Sequence, residues 1–463
     1  MDKIYDIAVI GGGPAGYIAA IKGAQLGASV VLFEKDVVGG TCLNRGCIPT
    51  KTYAKTAEYI HHIKEASLRG IVNDPKVGID MPKVVQYKNG VVKKLTGGVA
   101  ALLRSNGVDV VKGVAKLASE TTIECDGKIY NAKNTILCGG SKAGVIPIPG
   151  VEHKDVMTSD GILDITEVPA RLCIIGGGVI GCEIANAFQA FGSQVTIVEM
   201  MPRLVANMDE DISAAIKKSL EKAGVKVMLG KQVDGIQDKG GKPVVVASGE
   251  PIECDKVLLS IGRFADLECL GALKDKFEIV RGKVVVDDYM RTKIPNIYAC
   301  GDINGRIMLA HPGSKMGEVA AINCMGGHEK CDLRYVPSCL YTIPEASSVG
   351  LTEAQAKEKL GADNVIVGKF PFSANGRSIA SGTTEGFVKV VADKKYGELL
   401  GCQIVGADAA EMIAEPTALM QMEITVHEVA DKIIHAHPSF SEAFMDACCD
   451  ALGECLNLPK KKK

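Results

Sequence analysis

One pattern occurs twice in this chain, and it restricts the fold more than any other feature of the sequence. A short apolar segment runs into a glycine-rich turn, a helix-compatible segment follows, and a second apolar segment ends at an acidic residue. The first copy spans residues 4–34 and ends at Glu34, and the second spans residues 172–199 and ends at Glu199. Strand, GxGxxG turn, helix, strand and acid form the unit that binds a dinucleotide. The repetition predicts an α/β protein with two Rossmann-like domains.

Each glycine of the repeated turn has its own expected task. The first permits a tight turn, the second lets the backbone approach a pyrophosphate, and the third lets the helix pack closely on the strand. A glycine-rich turn without a ligand is the alternative for a single copy, but the equal spacing of the two copies disfavours it. The turn residues expected to contact a dinucleotide are Gly11, Gly13, Ala15 and Gly16 in the first copy and Gly176, Gly178, Val179, Ile180 and Gly181 in the second.

The acid that ends each copy is expected to accept hydrogen bonds from a ribose. At the second site, the carboxylate of Glu199 accepts from a free 2′-hydroxyl and repels a 2′-phosphate. The next two residues, Met200 and Met201, supply no cation. The sequence therefore favours NAD over NADP at this site, and Arg203 is the one residue that could reach a phosphate if the turn folded back.

Cys42 and Cys47 lie shortly after the first copy, in the segment 41–51. If this segment opens a helix, the helix dipole lowers the thiol pKa. The spacing then puts both sulfurs on one helical face, within bridging distance when the first turn is distorted. Two such sulfurs beside a redox cofactor can exchange electrons with a thiol substrate. A zinc half-site is the alternative, but no second CxxC or nearby CxxH completes it, so no metal is expected.

The composition restricts the remaining possibilities. The 463 residues include 53 basic and 55 acidic side chains, so no overall positive field attracts nucleic acid or an anionic membrane. No uncharged apolar run approaches the roughly 20 residues that span a bilayer, and Asp2, Lys3 and Asp6 interrupt any N-terminal signal segment. The 16 cysteines lack the pattern of a small disulfide-rich domain. We expect a cytoplasmic protein with neither nucleic-acid nor membrane partners.

Together with the paired fingerprints, the cysteine segment resembles that of the pyridine nucleotide-disulfide oxidoreductases, and the resemblance extends over about residues 5–444. It implies FAD at the first fingerprint and NAD at the second. It also implies that Cys42 exchanges with the substrate thiol and that Cys47 lies against the flavin as a charge-transfer thiolate. Lys51 is expected to lie by the flavin ring and to pair with Glu183, which joins the two nucleotide-binding domains.

Other segments resemble cofactor-binding parts of the family. Residues 292–302 resemble its second FAD motif, in which a strand carries an acid, here Asp302, to the ribitol chain. Ala310 begins a segment whose backbone meets the flavin pyrimidine, and Gly262 lies in the segment that closes the NAD domain. The further cofactor contacts implied by the resemblance are Lys35, Thr41 and Ala115.

The chain departs from the family pattern in three segments. The family's Ala-Thr-Gly turn is Cys-Gly-Gly at residues 138–140, which drops the hydroxyl. Residues 264–266 lack the usual proline, which predicts an altered return of the chain to the flavin domain, and the Pro-Gly pair at 312–313 is atypical. None of these changes removes a group that carries electrons.

A general base is expected near the C-terminus. His437 and Glu442 can supply a near-neutral base and the group that orients it if Pro438 reverses the chain and a helix begins at Ser439 or Ser441. The pair matches the family's His-Pro-x-x-x-Glu motif.

Two nearby features are assigned to packing. His435 precedes the base by two residues and is interpreted as a packing or supporting side chain. Cys448 and Cys449 are similar to the vicinal cysteines of mercuric reductases, but they lie inside a predicted helix at residues 441–456, where buried cysteines are common.

The resemblance implies a division of the chain into four parts. The flavin domain occupies residues 1–145, the NAD domain 146–264, a return to the flavin domain 265–335, and an α+β interface domain 336–463. Strands near residues 340–342, 365–367 and 387–391 are expected to form a mixed sheet in this last part. In the family, the interface domain presents its histidine to the disulfide of the other subunit, so a homodimer is expected.

The leading hypothesis is NAD-linked oxidation of protein-bound dihydrolipoyl groups by a flavoenzyme. The partners are then lipoyl-bearing proteins of a 2-oxoacid dehydrogenase or glycine cleavage complex. An NADPH-dependent reductase of glutathione or of metal ions is an alternative, disfavoured by Glu199 and by the absence of phosphate-binding cations. A non-catalytic redox sensor is another, disfavoured because both sulfurs and the base are present.

Overall fold

The fold was analysed in a computed structural model that describes residues 3–72 and 77–460. A seven-stranded sheet has the order β3-β2-β1-β6-β5-β4, and a late strand, β19, pairs with β6. The strands β1, β2, β3, β6 and β19 are parallel, whereas β4, β5 and β6 form an antiparallel meander. The strands are β1 Ile4–Ile10, β2 Val30–Glu34, β3 Asp109–Lys112, β4 Ala115–Leu117, β5 Thr122–Cys125 and β6 Lys128–Leu137.

The helices of this first nucleotide-binding fold cover the parallel strands. They are α1 Pro14–Gln25, α2 Gly40–Arg45, α3 Cys47–Glu65 and α4 Met81–Ser105, with a short 3₁₀ turn at Ala66–Arg69. Most residues of β1 and β2 are buried, as expected for aliphatic parallel strands covered on both faces. Asp80 begins α4 by accepting a hydrogen bond from the Lys83 amide.

The second nucleotide-binding fold has a parallel five-stranded sheet of order β11-β10-β9-β15-β8. An antiparallel sheet, β12-β13-β14, packs against it, and β7 pairs with β16 where the chain leaves and re-enters the first fold. The strands are β7 Ser141–Ala143, β8 Val156–Thr158, β9 Arg171–Ile175, β10 Gln194–Glu199, β11 Lys226–Leu229, β12 Val233–Lys239, β13 Lys242–Ala247, β14 Glu250–Glu253, β15 Lys256–Leu259 and β16 Arg263–Ala265. The helices are α5 Ser159–Ile162, α6 Val179–Phe191 and α7 Glu210–Lys222.

The chain then returns to the first sheet. A 3₁₀ segment at Glu268–Lys276 is followed by β17 Ile279–Val280, β18 Lys283–Val284 and β19 Ile297–Ala299, a 3₁₀ turn at Gly301–Ile303, and α8 Ala310–Cys324. Helix α8 packs tightly on α1, since a Cβ on Gly317 would lie 2.1 Å from the Ala15 carbonyl oxygen. The proposed boundary after residue 264 falls inside β16.

The C-terminal part contains a five-stranded sheet of order β20-β21-β24-β23-β22. The expectation of a mixed sheet is wrong, because every strand pairing of this sheet within the described residues up to 460 is antiparallel. The strands are β20 Ser338–Leu340, β21 Glu345–Gly350, β22 Val365–Pro371, β23 Phe387–Asp393 and β24 Leu399–Gly406.

In the part of the C-terminal domain that the structure describes, six helices accompany this sheet. They are α9 Glu353–Leu360, α10 Gly376–Ser381, α11 Ala409–Met412, α12 Ala414–Gln421, α13 Val426–Lys432 and α14 Glu442–Leu452, with 3₁₀ turns at Ala362–Asn364 and Phe372–Ala374. Helix α14 is shorter than predicted, because Gly453 ends it in a left-handed conformation. Cys448 in α14 is buried in the core of the sheet, as the packing interpretation requires.

One apolar core crosses the boundaries between these parts. Tyr53 of α3 packs edge-on against Phe188 and Phe191 of α6, and its hydroxyl donates to the Leu163 carbonyl at 2.8 Å. Leu340 and other residues of the C-terminal sheet belong to the same cluster. Over residues 3–72 and 77–460, no helix is both long and apolar enough to cross a membrane.

Candidate active site

The first fingerprint forms the tight turn that its glycines predict. Gly11 has φ +104°, and a Cβ there would lie 2.2 Å from the Cys138 carbonyl oxygen. A Cβ on Gly16 would lie 1.8 Å from the Gly11 carbonyl oxygen, because α1 begins directly against the end of β1. Only glycine fits at either position.

The second fingerprint repeats this geometry. Gly176 has φ +110°, and its Cβ would lie 2.2 Å from the Ser260 carbonyl oxygen. A Cβ on Gly181 would lie 2.1 Å from the Gly176 carbonyl oxygen. The two turns therefore have the same close contacts, although they belong to different sheets.

The middle glycine of each fingerprint has free space around it. Gly13 and Gly178 precede α1 and α6 with nearly identical extended backbone, φ −72° and ψ −176° in one and φ −74° and ψ −175° in the other. A Cβ on Gly178 would meet nothing within 4 Å, and one on Gly13 would meet only the Gly40 Cα at 3.8 Å. Val179 and Ile180 beside Gly178 are half-buried, whereas Ala15 beside Gly13 is buried. The start of each helix thus has free space beside its middle glycine that a phosphate can enter.

The acid at the end of each copy accepts a hydrogen bond from the glycine-rich turn of the same copy. Glu34 accepts hydrogen bonds from the amides of Gly12 at 2.7 Å and Asp36 at 2.8 Å. Glu199 accepts from the amides of Gly177 and Met201, both at 2.6 Å. Each carboxylate oxygen retains a lone pair for a ribose hydroxyl.

Arg203, the residue that could have reached a 2′-phosphate, is engaged locally. Its Nη2 donates to the Ala206 carbonyl at 2.8 Å, and its Nη1 lies 3.9 Å from Glu210. The turn does not fold its guanidinium back onto Glu199.

Cys42 and Cys47 lie on two helices rather than on one. Cys42 belongs to α2 and Cys47 is the first residue of α3, so the expectation of a shared helical face is wrong. Gly46 interrupts the helix with φ −138° and ψ −111°, and a Cβ there would lie 2.9 Å from the Thr41 carbonyl oxygen. This break brings the two sulfurs into hydrogen-bond contact as free thiols.

The two thiols are electrostatically unequal. The hydrogen bond from Cys42 lowers the pKa of Cys47 to about 7, and the Lys51 ammonium adds to this effect against the cost of burial. The same hydrogen bond and burial raise the pKa of Cys42. Cys47 is therefore the thiol that ionises near neutral pH.

Lys51 and Glu183 form the predicted ion pair. The Lys51 Nζ lies 3.0 and 2.9 Å from the two carboxylate oxygens of Glu183, whose side chain is only 2 % exposed. The Tyr341 amide donates to the same carboxylate at 3.0 Å, and the Tyr341 ring lies beneath the ammonium at 4.4 Å. Sequence reasoning missed Tyr341, because no motif marks it.

Asp302 lies at the centre of a polar network. Its carboxylate accepts from the Ser141 hydroxyl at 2.5 Å. Arg263 donates to the Ser141 hydroxyl and carbonyl, each at 2.8 Å, and to the Thr41 hydroxyl at 3.3 Å. The network joins the end of β19 to the start of α2. Neither Ser141 nor Arg263 was singled out from the sequence, although Arg263 lies in the segment that resembles the family.

The remaining expected cofactor contacts lie in several parts of the two nucleotide-binding folds. The Lys35 Nζ lies 3.4 Å from Asp266, and Gly262 has φ +102° at the start of the returning strand. Ala115 is buried in β4, two residues after Gly113, whose amide donates to the Glu34 carbonyl at 3.0 Å. Ala310 is the first residue of α8.

The departures from the family pattern are accommodated by close packing. The amide of Asp266 donates to the Gly140 carbonyl at 2.9 Å, and a Cβ on Gly139 would lie 2.7 Å from the Asp266 carbonyl oxygen. Phe264 and Ala265 of the segment without the usual proline lie in strand β16, which pairs antiparallel with β7.

His437 and Glu442 form the expected dyad. The His437 Nδ1 lies 2.8 Å from Glu442 Oε1, and the Ser439 amide donates to Glu442 Oε2 at 2.8 Å. Burial opposes ionisation of Glu442, but the Ser439 amide and His437 together lower its pKa. Helix α14 begins at Glu442 itself, after Ser441. The imidazole is 78 % exposed, so its Nε2 faces away from this chain's own interior.

Comparison with known proteins now identifies the family. Residues 5–317 match the model of the pyridine nucleotide-disulphide oxidoreductases, and residues 336–448 match that family's dimerisation domain. The chain belongs to the pyridine nucleotide-disulphide oxidoreductases. Members of this family use FAD together with a pyridine nucleotide.

Relatives within the pyridine nucleotide-disulphide oxidoreductases cover nearly the whole chain. The dihydrolipoyl dehydrogenase of Thermus scotoductus is 42% identical over 454 residues, which are 96% of this chain and 97% of that protein. The dihydrolipoyl dehydrogenase of Bacillus subtilis is 38% identical over 96% of this chain and 98% of that protein.

Among solved structures, the HOCl-induced flavoprotein disulfide reductase RclA of Escherichia coli has a TM-score of 0.86. It is 30% identical and covers 96% of this chain and 99% of its own. LpdA of Mycobacterium tuberculosis has a TM-score of 0.88 at 25% identity and covers 96% of this chain and 98% of its own. The likeness includes the C-terminal sheet as well as both nucleotide-binding folds.

The residues of this oxidoreductase fit FAD at the first fingerprint and NAD at the second. Both helices open onto space at Gly13 and Gly178, and both acids present free lone pairs at the ribose position. The cysteine pair and the carboxylate of Asp302 belong to the first fold alone, so a flavin bound there would have a thiol redox partner in its own fold.

Proposed function

We propose that this protein oxidises dihydrolipoyl groups and transfers the electrons to NAD⁺. The supporting observation is the hydrogen-bonded pair of Cys42 and Cys47, in which one thiol has a pKa of about 7, beside the buried ion pair of Lys51 and Glu183. Relatives 36–42% identical over nearly the full length are dihydrolipoyl dehydrogenases, which agrees with this chemistry.

FAD is assigned to the first fold and NAD to the second. The α1 amides that follow Pro14 would hold the FAD pyrophosphate, Glu34 would bind its ribose and Asp302 its ribitol chain, and Lys51 would supply a positive charge to the ring. The α6 amides beside Gly178 and the carboxylate of Glu199 hold NAD. When bound, FAD supplies two-electron chemistry between the cysteine pair and NAD⁺.

His437 acts as the base on the substrate dithiol. Because Glu442 binds its Nδ1, its Nε2 is the atom that receives a proton. The resulting substrate thiolate attacks the Cys42 sulfur of the Cys42–Cys47 disulfide, and the S–S bond breaks to release the Cys47 thiolate. The second substrate thiol then attacks the substrate sulfur of the mixed disulfide, and its proton passes to the departing Cys42 sulfur, which leaves as a thiol. The substrate leaves as a cyclic disulfide, and its two electrons remain on the reduced cysteine pair.

Each active site is composed of two subunits. The exposed imidazole of His437 makes its hydrogen bond to Glu442, and no described hydrogen bond or ion pair of residues 3–72 and 77–460 joins it to Cys42 or Cys47. We assign His437 to the cysteine pair of a partner subunit in a homodimer, and we assign the physiological substrate to lipoyl-bearing proteins of a 2-oxoacid dehydrogenase or glycine cleavage complex.

The test is steady-state turnover of the purified FAD-bound protein with dihydrolipoamide and NAD⁺, compared with glutathione disulfide or Hg(II) and NADPH. We expect rapid NADH formation from dihydrolipoamide and little activity in the other assays. Preference for NADPH, or turnover of glutathione or mercury alone, would contradict the proposal. The variant Glu199→Gln should reduce the preference for NAD(H), because it removes the charge that repels a 2′-phosphate while it keeps an oxygen acceptor.

A further inference from the structure

The segment that carries His437 has little support of its own. Between Lys432, the last residue of α13, and Glu442, the first of α14, the chain has no regular secondary structure. Ile434 is 96 % exposed, and Ala436 and Pro438 are also exposed. The position of the base therefore depends on the few contacts that hold this segment.

His435 supplies the side-chain contact ahead of the base. Its imidazole is only 5 % exposed, in contrast to its neighbours on both sides, and its Nε2 lies 2.7 Å from Oε1 of Glu415. Glu415 belongs to α12, which follows the buried end of β24 through α11. The pair thus attaches the irregular segment to a helix of the C-terminal domain.

The surroundings of His435 are acidic. The Glu415 carboxylate raises the pKa of His435 against the effect of burial, and Glu442 acts in the same direction. On α14, His435 contributes to the lowered pKa of Glu442, and it opposes the burial that raises the pKa of Asp446. The two histidines of the irregular segment therefore each pair with a carboxylate from a different helix, His435 with Glu415 of α12 and His437 with Glu442 of α14.

We propose that His435 is a positioning residue, which holds the catalytic segment through its hydrogen bond to Glu415. This inference rests on the proposed function, because it concerns the base of that reaction. Glu415 fixes His435 two residues before His437, and Glu442 binds the His437 imidazole from the start of α14. The imidazole of His437 is therefore held from both sides along the chain. Loss of the tether leaves the support that follows His437, namely its hydrogen bond to Glu442, the hydrogen bond of the Asn375 side-chain amide to the Ser439 carbonyl at 3.0 Å, and the packing of Phe440 on Phe372.

The test is a double-mutant cycle on the FAD-bound dimer. His435→Ala and Glu415→Ala each remove the tether, and each is expected to lower kcat for dihydrolipoamide by about tenfold to a hundredfold, the effect of a small displacement of a catalytic group. The double Ala variant should be no worse than either single variant. His435→Gln, whose amide can donate to Glu415, should restore much of the lost kcat, and KM should change little.

Two further measurements separate positioning from folding. NADH oxidation by an artificial one-electron acceptor requires no deprotonation of a thiol, so it should stay near the wild-type rate in all variants. Trypsin should cleave after Lys432 faster in both Ala variants than in wild type. The control is His62→Ala, which removes an exposed histidine 3.3 Å from Glu58 and should leave every readout unchanged.

Three outcomes would overturn the inference. They are a wild-type kcat in both Ala variants, additive losses in the double variant, or equal loss of both reactions, which assigns the pair to folding. These outcomes are distinct from failure of the proposed function, because in that case the wild-type protein itself would not turn over dihydrolipoamide.

Discussion

At the scale of single residues, the asymmetry of the two thiols is the main chemical property of the site. The hydrogen bond between the sulfurs favours the thiolate at Cys47, and the ammonium of Lys51 adds to this preference. In a reduced pair, the negative charge is therefore concentrated on one sulfur near neutral pH, while the other sulfur stays protonated.

This asymmetry predicts how the pKa of Cys47 depends on the hydrogen-bond donor at position 42. Cys42→Ala removes the hydrogen-bond donor, so the pKa of Cys47 should rise from about 7 toward its ordinary value near 9. Cys42→Ser keeps a donor, so the pKa should stay low. The thiolate fraction increases as the pH rises through the pKa, and alkylation of Cys47 in the reduced protein, followed by mass spectrometry against pH, reports it. Identical profiles for the Ala and Ser variants would contradict the prediction.

The sequence predicted the side chains with a motif and missed those without one. Lys51 and Glu183 were paired from the family motif, and their ion pair is present. Tyr341, Ser141 and Arg263 were missed because their roles come from long-range contacts, such as that of the Tyr341 amide with Glu183. Periodicity and spacing describe neighbours along the chain and contain no information about such contacts.

At the scale of elements, the two GxGxxG turns have the same backbone in two different sheets. Their strand, turn and helix order was predictable, because each glycine is required by its own local geometry. The break between α2 and α3 was not predicted, since a spacing of five residues is compatible with one helix. It arises because Gly46 adopts a non-helical conformation against the Thr41 carbonyl.

The equivalent turns predict opposite consequences for two alanine substitutions in the second one. Gly181→Ala places a methyl group 2.1 Å from the Gly176 carbonyl oxygen and should destabilise the protein by about 1–3 kcal/mol through overpacking. Gly178→Ala meets no atom within 4 Å, so it should leave the nucleotide-free protein unchanged and weaken NADH binding. Thermal melting without nucleotide and titration with NADH measure the two effects. If Gly178→Ala lowered the melting temperature as much as Gly181→Ala, Gly178 would be required for packing.

At the scale of the whole molecule, the C-terminal sheet is joined to the second nucleotide-binding fold by a buried charge cluster. The Lys389 Nζ of β23 lies 2.8 Å from Asp209, 3.0 Å from Asp211 and 2.9 Å from Glu353. The Lys389 and Asp209 side chains are 4 % and 3 % exposed. The three carboxylates outweigh burial and raise the pKa of Lys389.

Removal of this lysine should be costly. Lys389→Met leaves the buried carboxylate of Asp209 without its cation, and loss of one partner of a buried pair costs about 3–5 kcal/mol. Lys217→Met, which breaks an exposed pair with Glu221 one helical turn away, should cost less than about 0.5 kcal/mol. Urea unfolding at neutral pH compares the two variants. A similar midpoint for both would mean that the cluster contributes no net stability.

If each active site is shared between two subunits, two inactive variants should complement each other in a mixed dimer. His437→Gln should reduce dihydrolipoamide turnover by about 10² to 10⁴, and Cys42→Ser should abolish it. Mixed dimers of the two variants contain one site with both native groups, so they should recover about half of the wild-type activity, because a two-fold dimer has two equivalent sites. Tandem affinity purification of the mixed dimers provides the sample. Inactive mixed dimers would require the base and the cysteine pair to come from the same subunit.

The carboxylate of Glu183 on α6 also has an evolutionary consequence. It accepts from Lys51 of the first nucleotide-binding fold and from the Tyr341 amide of the C-terminal part, so one acid connects three regions of the chain. Recombination that replaced only the middle region with that of a homologue would leave Lys51, which lies near the cysteines, without a carboxylate partner. This loss is avoided only if the homologue has an acid at the position of Glu183. We therefore expect natural chimaeras of this architecture to exchange these regions as a block.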